Sequence, residues 1–94
     1  MSAQILVEPA GANEFRVTVS EGKTQTSHLV TVQPNDYQRI TSGKIGEPHL
    51  LKMAFEFLLE HEPKESILRS FDLMVIARYF PAFEREMSRR LSQG

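Results

Sequence analysis

The 94-residue chain carries 11 Lys+Arg against 12 Asp+Glu, a formal net charge of −1, and is 40% hydrophobic and 24% charged. That is enough apolar matter to build the core of one domain, and it excludes a disordered or low-complexity chain. The absence of cysteine excludes a disulfide scaffold, thiol catalysis and sulfur-ligated zinc, and the balanced charge is unlike the basic character of most proteins that grip phosphate backbones.

Residues 1–10 lack the basic start and apolar stretch of a signal peptide. The apolar runs Ile5-Leu6-Val7 and Leu73-Met74-Val75-Ile76-Ala77 fall far short of the ~20 residues of a membrane helix. The expectation is a cytoplasmic protein without membrane contact. Thr, Val, Ser and Gln dominate before Gly46, and Leu, Glu, Arg and Phe after it. One α+β domain over 1–94 follows, with a sheet over 1–33, a connecting turn over 34–46 and a helical part over 47–94.

Gln4 to Val7 reads as a short edge strand, followed by the turn-forming Glu8-Pro9-Ala10-Gly11-Ala12-Asn13. Phe15, Val17 and Val19 then alternate with Arg16, Thr18 and Ser20. After Glu21-Gly22-Lys23 the return strand places Thr26, His28, Val30 and Val32 on one face. A tight Glu21-Gly22 turn sets Phe15 opposite His28, and an eight-residue loop sets it opposite Val32. The two registers differ by an even shift, so both keep Phe15, Val17, Val19, Val30 and Val32 inward. The sheet is thus predicted as a three-stranded antiparallel meander, with three to four C-terminal helices on one face.

Pro34 stops the sheet, and Asp36 to Thr41 reads as a turn or two of helix closed by Ser42-Gly43. The first long helix is predicted over Glu47 to Glu62, with Leu51, Ala54, Phe55, Leu58 and Leu59 in one stripe. Leu50, Met53 and Phe57 widen that stripe to about 240°, more than an ordinary surface helix buries. Pro63 opens a second helix to Phe71 anchored by Ile67, Leu68 and Phe71, and Asp72 caps a third through Ile76 to Phe80. A continuous helix from Pro63 to Phe80 is the competing reading. Phe83, Met87 and Leu91 recur every fourth residue on a tail helix.

Chemistry is sparse. His28 lies on the inward face, where a core histidine bonded to a carbonyl outweighs a poised catalytic imidazole. Gly43-Lys44-Ile45-Gly46 lacks the earlier glycine and the Ser or Thr of a phosphate loop. Glu56 and Glu60 lie one turn apart on a polar stripe, with no partner ligand nearby in sequence. Arg78, Arg85, Arg89 and Arg90 are the candidate phosphate contacts, interleaved with Glu84 and Glu86. The apolar Leu73-Met74-Val75-Ile76-Ala77 is unsuited to reading base edges.

The stretch Phe55-Glu56-Phe57-Leu58-Leu59-Glu60-His61-Glu62-Pro63-Lys64-Glu65-Ser66-Ile67-Leu68-Arg69-Ser70-Phe71-Asp72-Leu73, continuing through Val75 to Pro81, together with Thr26-Ser27-His28-Leu29-Val30-Thr31-Val32, resembles a family of small bacterial proteins of uncharacterised function. The resemblance implies a standalone bacterial domain of this size and carries over no functional residue.

The expected role is a non-catalytic interaction module that self-associates as a homodimer or binds another protein, with no cofactor and no metal. Its predicted contact face is Leu50, Met53 and Phe57, the part of the first long helix that one small sheet leaves uncovered; the competing reading is that the tail helix, through Phe83, Met87 and Leu91, folds back and covers it in the same chain. The alternatives are a nucleic-acid-binding regulator using Arg78, Arg85, Arg89 and Arg90, and a small enzyme with a site near His28.

Overall fold

The alternating N-terminal segments form β1 (Gln4–Gly11), β2 (Glu14–Glu21) and β3 (Thr24–Thr31), three antiparallel strands in a computed structural model that describes residues 3–93. Val17, Val19, His28, Val30 and Val32 are buried on the inward face. Arg16, Ser27 and Gln25 are exposed on the opposite face, which an antiparallel sheet can leave to water. Phe15 stands opposite Val30, a register midway between the two predicted ones. The cause is a two-residue turn, Gly22-Lys23, whose first position holds Gly22 at φ +59°. A type II′ hairpin turn needs positive φ at that position. Because the register differs from either prediction by two residues, the inward set is unchanged.

The helical half departs further from its sequence pattern. A fourth strand, β4 (Ser70–Asp72), lies parallel to β3, giving the order β1-β2-β3-β4. Neither the predicted helix from Pro63 to Phe71 nor the continuous alternative forms. The chain makes a single 3-10 turn at Lys64–Ser66 and then extends. The free edge of β3 explains this, because its polar backbone groups need partners that a helix would not supply. The Leu29 N–H donates to the Arg69 carbonyl at 2.7 Å, and the Leu73 N–H to the Thr31 carbonyl at 2.9 Å. Asp72 keeps a capping role: its Oδ1 accepts from the Met74 N–H at 2.9 Å, just before α3 (Val75–Tyr79).

Three further helices complete the layer. Pro34 starts α1 (Pro34–Thr41), which ends at Ser42 in the left-handed region. α2 (Glu47–His61) buries Leu50, Leu51, Met53, Ala54, Phe55, Phe57 and Leu58. α4 (Phe83–Gln93) packs on α1 and α2 and brings in Phe83 and Met87, both fully buried. The wide apolar arc of α2 is therefore shared between the sheet and α4 within one chain. Of the predicted core, Leu68 is the clear exception at 48% exposed, because the chain is extended there and turns it outward.

Candidate functional site

The predicted contact face is not a surface. Leu50, Met53 and Phe57 are 0%, 7% and 3% exposed, so the expectation of an open apolar strip on α2 is corrected. The tail helix is the lid: the Phe57 ring meets Phe83 at 5.7 Å and stands edge-on to Phe80 at 5.7 Å. The Arg90 guanidinium lies 5.9 Å from the centre of the same ring.

The arginines do not form one cationic face. Arg90 donates twice to Glu60, at 2.8 and 2.9 Å, and also reaches Glu86. Arg89 is held by Glu86 too, and these partners keep the Glu86 carboxyl below its ordinary range. Arg78 stands on α3, away from the others in the chain, and Arg78 and Arg85 are exposed. Half of the candidate phosphate contacts are thus already neutralised by carboxylates.

His28 is 1% exposed, with both ring nitrogens engaged. Nδ1 lies 2.7 Å from the Leu68 carbonyl oxygen, which can only accept, so Nδ1 carries the proton. Nε2, 2.8 Å from Thr26 Oγ1, accepts from that hydroxyl. Burial pushes the imidazole pKa down; the Leu68 carbonyl opposes this, and the charge of Arg69 adds to it. The ring packs beside Phe55 at 5.4 Å. This is a satisfied core histidine joining the meander to the segment before β4. Lys64, 3% exposed, similarly ties the 3-10 turn to the end of β2, with Nζ 2.6 Å from Glu65 and 3.3 Å from Glu21. Among the described residues no group of three or more His, Asp or Glu is placed to hold a metal ion.

The surface with the clearest binding character was not among the sequence candidates. A half-open groove of about 410 Å³ lies between the end of α2, the 3-10 turn, β4 and α3. Leu58, Ile67, Phe71, Val75, Ile76 and Phe80 line it, and Leu68 and Tyr79 stand on it 48% and 68% exposed. Glu62, Ser66 and Tyr79 are the lining residues that carry polar side-chain atoms among those described. Among the described residues, two of the three exposed large apolar side chains are therefore on this one feature. It is apolar because β4 replaces the predicted helix: extension sends Ile67 and Phe71 inward and Leu68 outward. No described helix is long and apolar enough to cross a membrane. No family model, curated protein or solved structure matches this chain.

Proposed function

We propose that the protein is a non-catalytic interaction module that seats an apolar anchor of a protein partner in the groove beside β4. The observation that carries this reading is the coincidence of Leu68 and Tyr79, exposed, with a concave apolar lining. Exposed apolar side chains are common singly, but two of them on one apolar groove are the usual mark of a contact site. The volume suits one or two large side chains, and Glu62 favours an anchor flanked by a basic or hydroxyl group. The enzyme alternative has no free imidazole at His28, and of the four arginines of the nucleic-acid alternative only Arg78 and Arg85 stand outside the ion pairs seen among the described residues.

The test uses an environment-sensitive dye, anilinonaphthalene sulfonate, on the native protein. Its fluorescence should rise and shift to the blue with wild type and fall to background with Leu68→Glu and Tyr79→Glu. Both positions are exposed, so both variants should melt with the wild type. A dye response that persists in both well-folded variants would remove the groove from the reading.

A further inference from the structure

β3 outruns its parallel partner. It extends over Thr24–Thr31, whereas β4 pairs with Leu29, Val30 and Thr31 alone. Leu29 and Thr31 turn their backbone groups to this side, the first donating to the Arg69 carbonyl and the second accepting from the Leu73 N–H. Alternation along the strand sends the N–H and C=O of Gln25 and Ser27 to the same side. Among the described residues no backbone group meets them there. The chain from the 3-10 turn to Arg69 passes beside this unpaired length and leaves a cleft of about 200 Å³ between residues 25–28 and 64–69. That is the room of about six or seven waters, below the roughly 300–1,000 Å³ of a site for a drug-sized molecule.

The cleft is rich in donors. Lys64 is 3% exposed, and its Nζ lies 2.6 Å from Glu65 and 3.3 Å from Glu21. An ammonium carries three N–H donors, so one is left over. Lys64 and Glu65 cancel each other within the lining, and Glu21 meets Lys64 without lining the cleft. Arg69 lines it as well and joins no ion pair among the described residues. Its charge is felt at the His28 ring, where it helps to hold the imidazole neutral. A free guanidinium beside an unpaired backbone N–H is a donor set suited to an oxyanion.

We infer that this cleft binds one small oxyanion, a carboxylate or a tetrahedral ion of the sulfate and phosphate kind, on the Arg69 guanidinium, the Ser27 N–H and the spare Lys64 donor. The bound ion links β3 to the segment that precedes β4, adding a connection to a seam of only three residue pairs. It also offsets the charge of Arg69 at His28. The inference does not rest on the apolar groove, which neither Arg69 nor Ser27 lines.

Amide and imidazole NMR on the full chain tests it, with sodium sulfate and sodium acetate titrated in separate arms against sodium chloride at matched ionic strength. Melting temperature is not the readout, because sulfate stabilises folded proteins in general by exclusion from their surfaces. The Ser27 amide should shift saturably with an oxyanion and not with chloride, and the arm that saturates at the lower concentration tells a tetrahedral ligand from a planar one. His28 should at the same time titrate at a higher pH. Arg69→Gln, at an exposed position, should weaken binding about tenfold. In that variant His28 should titrate higher without any ion and no longer respond to one. Gln25→Glu, also exposed, should weaken binding by adding a carboxylate to the lining. Shifts that never saturate, equal shifts with chloride, or an affinity untouched by Arg69→Gln would overturn the inference.

Discussion

His28 shows how one buried polar side chain can link stability to pH. Folded, it is held neutral, because burial lowers its pKa from 6.5 and the Leu68 carbonyl only partly offsets this. The unfolded chain takes up the proton below that ordinary value, so it binds more protons than the native state there. Stability contributed by His28 is therefore complete above about pH 6.5 and is lost as pH falls through the lowered folded value. Urea midpoints measured at about pH 7.5 and about pH 5.5 should differ, with the acid midpoint lower, and His28→Gln should flatten that difference. An undiminished slope in His28→Gln would assign the pH dependence to another group. The pairs that depress Glu65 and Glu86 act in a more acidic range, below 4.5, and leave this window to the histidine.

At the scale of elements, the β2–β3 hairpin depends on one backbone conformation. Gly22 sits at φ +59°, and a Cβ added there would meet nothing within 4 Å. Gly22→Ala should thus cost only the backbone penalty of the left-handed region, roughly 1–2 kcal/mol. The urea midpoint should fall with an unchanged slope; an unaltered midpoint would mean that the turn relaxes without cost. α2 makes a different point. Its arc of buried residues is wide because two layers share it, the sheet through Phe55 beside His28 and α4 through Phe57 against Phe83. Phe83 and Met87 thereby do the covering that a second chain had been expected to do.

For the whole molecule, the meander was legible because alternation over Phe15-Arg16-Val17-Thr18-Val19 has no helical reading. Its inward set survived a wrong register because parity, and not pairing, decides which face a strand residue takes. β4 was not legible. Ile67 and Phe71 are four apart, a spacing that helices and short buried strands share, and the deciding factor was the open edge of β3, whose paired residues lie 41 positions earlier in the chain. The groove was hidden for the same reason, since Leu58, Phe71 and Tyr79 become neighbours only once β4 has docked. The misplaced contact face at Leu50, Met53 and Phe57 came from preferring a second chain to the tail helix as the cover for the apolar surplus of α2. The tail's Phe83, Met87 and Leu91 had the right spacing to cover it, and only the turn at Pro81 decides where they point.

The seam between β3 and β4 has a consequence for the order in which the molecule opens. It spans three residue pairs, whereas the neighbouring β2–β3 seam spans eight. Short seams formed by distant segments pay a large closure entropy and recover little of it, so they part before the rest of the fold does. Amide hydrogen exchange should therefore run faster at Leu29 and Leu73, which bond across the short seam, than at Val17 and Val19 inside the meander. Equal protection at all four would show that the sheet opens as one unit. Because Leu68, Phe71 and the His28 anchor all lie along this seam, its breathing is also the motion that would loosen the wall of the groove, admitting an anchor larger than the resting cavity accepts.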